Sequence, residues 1–410
     1  LSRSLDFPVF DADNHMYETA DAFTKYLPES HAGLVKYVEV NGRTKIALKN
    51  KISDYIPNPT FNVVASPGAQ EVEFRLKNPS SKTSAKAGDR ELTPPPRYIK
   101  SIPAFFNPED RLLLMNDLSI DRAMMWPTLA SLIEERLSDD IEATHIIVRA
   151  LNEWMYEHWT FNFEDRIFPT PVITLPILDE ALRDLDWALE RGARAILIRP
   201  APVPGNNGRR RSFALEEYDP FWKRVEESGV LVGMHSSDDG AQRYLNEWEG
   251  HTGEFLPFAG KRSAFSAIVS SQHRTIKDVV SSIVGHGLAT RFPAIRFMPI
   301  ENGTAWVRPL VATLTTLYDR TPELFDEDPM VALKRSVYFH PFHEEDVLGL
   351  VDVVGADNVV FGSDYPHPEG MFDPVTFVDE LETLSNEDQR KIMGANLANL
   401  MGVDPLAKAV

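Results

Sequence analysis

Four side chains spread along this chain have the types and settings of a metal site. Phe10-Asp-Ala-Asp-Asn-His15 places Asp13 and His15 two residues apart, so on an extended chain both point to one side. Val359-Val-Phe-Gly-Ser-Asp-Tyr-Pro-His-Pro-Glu-Gly370 runs from β-branched and aromatic residues into Asp364, after which Pro366 and Pro368 forbid a strand to continue. Val230-Leu-Val-Gly-Met-His235 ends another apolar run on an imidazole. A carboxylate at the tip of a buried strand is costly unless something cationic meets it. Two carboxylates and two neutral imidazoles suit a divalent ion with a position left open for water or substrate. Zn²⁺ fits first, with Mn²⁺ or another divalent ion as alternatives. There is no cysteine, so any metal must be held by His and carboxylates.

To bring these residues together the chain needs repeated strands that end on one face. Short β-rich runs separated by helical patterns occur at Pro8–Asp13, Ile120–Trp126, Ile167–Thr174, Ala193–Arg199, Val230–His235, Ile295–Glu301, Val337–His340 and Val359–Gly362. Helices are predicted over 138–163, 179–191, 219–228, 344–354 and 386–401, and Asn107-Pro108-Glu109-Asp110 has the form of a helix start. Eight βα units predict an α/β fold of the (β/α)8 TIM-barrel type, with the active site at the C-terminal strand ends. An open doubly wound sheet would carry a Gly-rich turn after its first strand, where this chain has Asp-Asn-His-Met-Tyr. The stretch 38–103, rich in Lys, Asn, Ser, Gly and Pro, breaks the alternation. It is expected to be a hairpin or flap inserted in a single domain spanning 1–410.

The strand ends add further polar residues: Arg199 on the fourth, Glu301 on the sixth and His340 on the seventh. Arg199, or Arg210 in the loop beyond it, is a candidate for binding a substrate carboxylate. The arginines of Gly205-Asn-Asn-Gly-Arg-Arg-Arg211 otherwise read as solvated. His340 is a candidate to line the pocket, and His367 and Glu369 to orient Asp364 or His15 through hydrogen bonds. His145 and His158, on an aromatic-rich helix, read as packing residues, and His286 as lying at the wrong end of the barrel.

The first and last of these motifs resemble those of the amidohydrolase-related family, a branch of the metal-dependent amidohydrolase superfamily that includes aminocarboxymuconate semialdehyde decarboxylase. Trp126-Pro127-Thr128 and Gly233-Met-His235 extend the similarity along most of the chain outside 38–103. The resemblance implies a distorted (β/α)8 barrel with Asp13, His15, His235 and Asp364 as metal ligands. Members with two metals use a carboxylated Lys at the fourth strand; Arg199 stands near there, so one metal is expected. Where the family commonly has a sixth-strand His, this chain has Glu301, which the resemblance marks as acid/base catalyst or ligand.

The expected activity is a metal-dependent hydrolase in which activated water attacks a carbonyl of a small aromatic-derived or carboxylated substrate, with Glu301 or Asp364 taking the proton. The alternative is a nonoxidative decarboxylase of an aromatic or unsaturated acid, and a third is a silent ligand-binding barrel. A formal charge of -19 argues against nucleic acid or an anionic membrane as partner. No apolar run reaches the length of a membrane span and no signal-peptide core is seen, so a cytoplasmic location is expected. A homodimer is compatible with the aromatic-rich helices.

Overall fold

The computed structural model describes residues 3–53, 56, 58–70, 73, 96–205, 208–250, 263–270 and 273–406. Part of the expected flap, 74–95, and residues 206–207 of the arginine loop lie outside these. The fold is mixed α/β. Its strands in chain order are β1 (Phe10–Met16), β2 (Val35–Val40), β3 (Arg43–Leu48), β4 (Lys51–Ser53), β5 (Val63–Ala65), β6 (Tyr98–Lys100) and β7 (Arg122–Pro127). There follow β8 (Ile167–Pro169), β9 (Ala195–Leu197), β10 (Val203–Pro204), β11 (Arg210–Arg211), β12 (Leu231–His235) and β13 (Phe297–Ile300).

Parallel ladders join β1 to β7 to β8, and β9 to β12 to β13. Single parallel bridges supply the remaining joins: Val172 to Leu197, Phe297 to Val337, Phe339 to Val359, and Asn14 to Tyr365. Pairing therefore passes in chain order through all eight predicted segments and returns from the last to the first. The return is made by the N–H groups of Ala12, Asp364 and His15, which donate to the carbonyls of Phe361, Asp13 and Tyr365 at 2.9, 2.8 and 2.8 Å. The third predicted strand is shorter than its apolar run because Pro169 and Pro171 have no N–H to give a ladder. The seventh and eighth are reduced to bridges; Pro341 stops one, and Phe361 N–H turns away to Ile392 O at 2.9 Å.

β1, β7, β12 and β13 are buried along their whole length, as strands covered on both faces must be. Packing between them is close. A Cβ on Gly233 would stand 2.2 Å from the buried Trp126 ring, so only glycine lets β12 and β7 pack around that indole.

The helices begin where their caps dictate. Asn107 accepts from Asp110 N–H ahead of the helix Pro108–Asp117, as its sequence predicted. Asp140 and Asp346 cap Ile141–Trp159 and Val347–Val354, so both helices start later than their apolar pattern suggests. The 386–401 segment is helical but contains a π-helical turn over Lys391–Ala395. Between β1 and β7 the chain forms an antiparallel sheet β2–β3–β4 and a pair β5–β6. The β2–β3 hairpin turns on Asn41-Gly42, both at positive φ (51° and 73°), the turn chemistry that suits a right-twisted ribbon. Among the described residues no helix is long and apolar enough to cross a membrane.

Candidate active site

The polar ends of β1, β12, β13 and the eighth segment meet at one place, and β1 is bent to bring them there. Its register with β7 shifts between Asp11 and Asn14. Asp11 braces that bulge: Oδ1 accepts from the N–H of Asp13 (3.0 Å) and Ser363 (2.9 Å), and Oδ2 from Asn14 Nδ2 (2.7 Å) and Ser363 Oγ. Burial pushes its carboxyl up to about 7. The buried guanidinium of Arg111 donates to Ala104 O (2.6 Å), to Asn14 Oδ1 and to His15 O (2.7 Å), tying the strand's end to the helix Pro108–Asp117. Burial pulls Arg111 down to about 10. Neither residue stands out in the sequence as part of a site. For Asp11 the signal is its place one strand repeat before Asp13; Arg111 has none, because its partners are remote.

The four expected ligands do come together, and Glu301 joins them. His15 Nε2 lies 3.4 Å from Asp13 Oδ1, 3.4 Å from Asp364 Oδ1, 3.9 Å from Glu301 Oε2 and 3.1 Å from His235 Nε2. His235 Nε2 lies 3.3 Å from both Asp13 Oδ1 and Glu301 Oε2. The Nδ1–H of His235 donates to Ser236 O at 2.9 Å, so in the neutral ring Nε2 turns a lone pair to the cluster. Glu301 and Asp364 both adopt positive φ (54° and 55°), a costly conformation for residues with side chains and one that concentrates at functional sites. Glu345 holds the loop after Glu301 by accepting from the N–H of Thr304 and Ala305 at 2.9 and 3.2 Å.

Electrostatics single out the same group. Burial alone would raise Asp13, but the imidazoles of His15 and His235 that face its Oδ1 outweigh that and hold it well below the usual carboxylate range. Asp364 is driven up by burial and then by the charge of Asp13, and Glu301 by burial and then by Asp364. Burial and His367 lower His15; His235 rises in spite of burial because Asp13 and Glu301 face it. Asp13 Oδ2 and Asp364 Oδ1 are buried with no hydrogen-bond partner, although His367 Nδ1 approaches the latter to 2.8 Å. Ligand atoms of Asp13, His15 and His235, and of His15, Glu301, Asp364 and His367, lie within 4.8 Å of one another. Crowded carboxylates, imidazole lone pairs and two orphaned oxygens fit a divalent cation, whose charge would reverse the upward shifts of the acids.

The other expected residues fall into different settings. Glu301 N–H donates to His340 Nδ1 (3.1 Å), so the ring proton sits on Nε2 and goes to Gly362 O (3.2 Å). With both nitrogens engaged, His340 supports Glu301 and offers substrate little more than its edge. Arg199 is turned away: its Nε donates to Asp238 O at 2.9 Å and its Nη2 to Glu135. Arg210 and Arg243 bind the same carboxylate, so Arg210 is not simply solvated. Of these three, Arg243 lines the cavity. His367 stacks on His15 with ring centroids 3.9 Å apart, whereas Glu369 is exposed and accepts from Gln70 Nε2 at 3.2 Å. His145 Nε2 accepts from Ile177 N–H, away from the cluster; His286 Nδ1 meets Ser282 Oγ and, contrary to its expected place at the wrong end of the barrel, lines the outer part of the same cavity. A cavity of about 1000 Å³ opens over Glu301, Asp364 and Gly362 and extends to Asp238, Arg243 and Arg274.

A family model described as Amidohydrolase matches residues 103–402. An amidohydrolase from Mycobacterium avium subsp. paratuberculosis K-10 is 34% identical and superposes with a TM-score of 0.86, over 98% of this chain and 99% of that one. The 5-carboxyvanillate decarboxylase of Sphingomonas paucimobilis has a TM-score of 0.56 at 12% identity, over 97% and 100% of the two chains. A dihydroxybenzoic acid decarboxylase from Polaromonas sp. JS666, with bound manganese, has a TM-score of 0.55 at 14% identity, over 97% of each. At such identities these two share a fold with this chain and nothing more. A 64-residue stretch is 31% identical to the 2-amino-3-carboxymuconate-6-semialdehyde decarboxylase of Dictyostelium discoideum, covering 15% of this chain and 18% of that protein.

Proposed function

The chain belongs to the amidohydrolase family, and from that premise we propose that it is a metal-dependent nonoxidative decarboxylase of a small aromatic-derived acid. We read the cycle of parallel pairings as a (β/α)8 barrel, one domain over 1–410, with the described part of 38–103 as a flap whose Gly68 and Gln70 N–H groups donate to His367 O and Pro368 O beside the site.

The observation that carries this reading is Glu301. Its side chain keeps 21% of its surface open and lines the cavity, 3.3 Å from His235 Nε2, where it can pass a proton to a bound substrate, and burial and the Asp364 charge push its carboxyl upward. A decarboxylase needs a proton donor at the carbon that loses carbon dioxide; a hydrolase needs a base at water. Asp13, His15, His235 and Asp364 would hold one divalent ion, Zn²⁺ or, as in the Polaromonas relative, Mn²⁺. When bound, the ion would supply positive charge to orient and polarise substrate oxygens.

In the proposed reaction Glu301 delivers its proton to the ring carbon that bears the carboxylate, forming a C–H bond. The bond from that carbon to the carboxylate then breaks, its electron pair returns to the ring, and carbon dioxide leaves. Glu301 recovers a proton from water at the cavity mouth. His340 keeps the Glu301 backbone in register through its N–H. Arg243, rather than Arg199, presents a guanidinium to an anionic group at the far wall. The local match to a decarboxylase, over 64 residues, supports this choice.

A second reading, hydrolysis, is favoured by the name of the 34% identical relative, an amidohydrolase; Glu301 would then act ionised and accept a proton from water. The test is metal-replete protein given dihydroxybenzoates and 5-carboxyvanillate in one set, aryl esters and lactones in another. Carbon dioxide release from the first set is expected. Turnover confined to the second would replace the decarboxylase with a hydrolase.

A further inference from the structure

Thr128, just beyond the end of β7, sits where one hydroxyl touches three groups. Its Oγ1 lies 2.9 Å from Met16 O, 3.4 Å from His15 Nδ1 and 3.3 Å from His367 Nε2, and the residue is 8% exposed. A hydroxyl has one proton and two acceptor lone pairs. Met16 O can only accept, so the proton goes there. The two imidazole contacts must then be made by ring N–H groups donating to Thr128: Nδ1–H of His15 and Nε2–H of His367. Each neutral ring is left with its other nitrogen bare. Those nitrogens, His15 Nε2 and His367 Nδ1, both face Asp364 Oδ1, at 3.4 and 2.8 Å. With Asp364 ionised, as a metal ligand has to be, a bare nitrogen and a carboxylate oxygen at 2.8 Å are two acceptors with no hydrogen between them. Asp364 Oδ1 indeed has no hydrogen-bond partner among the described residues. Such a pair repels unless a cation stands beside it.

We propose that Thr128 is a positioning residue whose single proton sets the tautomers of His15 and His367 together, making His367 Nδ1 a further metal ligand next to Asp364. The inference rests on the metal site of the proposed function and extends it to a residue that the sequence suggested only as a hydrogen-bonding support. The two rings lie against each other at a 31° tilt, each with one nitrogen at Thr128 and the other at Asp364. Groups that orient a metal's ligands typically contribute about 10- to 100-fold in affinity.

The test combines nitrogen spectroscopy with metal titration. Long-range ¹H–¹⁵N spectra of metal-free protein at pH 8, assigned through single His substitutions, should show His15 as the Nδ1–H tautomer and His367 as the Nε2–H tautomer. Thr128→Val keeps the shape and removes the hydroxyl; it should lose that pattern and weaken Zn²⁺ or Mn²⁺ binding by about 10- to 100-fold. Thr128→Ser should restore both, and His367→Ala should weaken binding with the His15 tautomer unchanged. The opposite tautomer at either ring in the wild type overturns the proposal even if Thr128→Val fails to fold. So does wild-type metal affinity in Thr128→Val or His367→Ala. If the wild-type protein binds no divalent metal, the proposed function falls and the ligand role of His367 falls with it, whereas the spectra still decide what Thr128 does.

Discussion

Gly362→Ala tests the geometry of the site without requiring a known substrate. A Cβ at this position would stand 2.6 Å from Asp13 Cβ and 2.7 Å from His340 Nε2, where unstrained carbon contacts lie at about 3.5–4.0 Å. Relief requires that either Asp13 on β1 or His340 move. His340 can retreat only by breaking its hydrogen bond to Gly362 O. Overpacking a filled interior costs about 1–3 kcal/mol, and loss of that bond adds about 1 kcal/mol. The expected destabilisation is therefore about 2–4 kcal/mol. Because one escape displaces Asp13, a proposed ligand, and the other the imidazole that holds Glu301 beside it, metal affinity should fall together with stability. Urea unfolding at constant slope measures the first, and calorimetric titration with Zn²⁺ the second. Gly285→Ala is the control: it lies at the end of the helix Arg274–Gly285, with nothing within 4 Å of the added methyl. A Gly362→Ala protein as stable as that control, with wild-type metal affinity, would refute the packing of Asp13 against the eighth segment.

Glu301→Gln should retain one metal per chain and lose about 10²- to 10⁴-fold in kcat, the usual worth of a general acid; loss of the metal, measured by elemental analysis, would make Glu301 a ligand instead. Asp364→Ala should abolish metal binding, and full occupancy in that variant would remove Asp364 from the ligand set. Glu18 offers a pH signature. Its Oε1 accepts from Leu129 N–H at 2.7 Å, and burial pushes its pKa up to about 8. The folded chain therefore holds a proton that the unfolded chain has released from about pH 4.5 upward. Stability should fall as pH rises through that window and level off above pH 8, by an amount on the order of 5 kcal/mol for this group. Glu18→Gln should flatten the slope in a series of denaturation curves; an unchanged slope would show that another group carries it.

Most of the element order was legible in the sequence. Alternating apolar runs and amphipathic stretches are local signals, and each of the eight predicted strand segments takes part in the parallel pairing. Boundaries were less legible, because Asp140, Asp346 and the prolines at 169 and 171 set them through individual hydrogen bonds made or missing. The site was legible as a set of types. Asp13, His15, His235, Glu301 and Asp364 each end an apolar run, and they meet as the strand ends converge. Arg199 looked equally well placed, yet its guanidinium goes to Glu135, on the short helix Ile133–Arg136, and to Asp238 O, and it stays outside the cavity that Arg243 lines. Arg111 gave no sign at all, since what it holds is a carbonyl and an amide far away in the chain.

The amino-acid sequence by itself determined which chemistry is available: carboxylates and imidazoles at the ends of apolar strands, no thiol, and a further acid, Glu301, at the end of the sixth. Strand periodicity and turn residues act over a few positions, so these features can be read without the fold. Tertiary structure alone decided which nitrogen each imidazole presents, which arginine reaches the cavity, and why Asp364 Oδ1 lacks a hydrogen bond. Those outcomes depend on where single protons and counter-charges go among residues hundreds of positions apart. Only the closed set of contacts around Thr128, Glu135 and Asp11 fixes them.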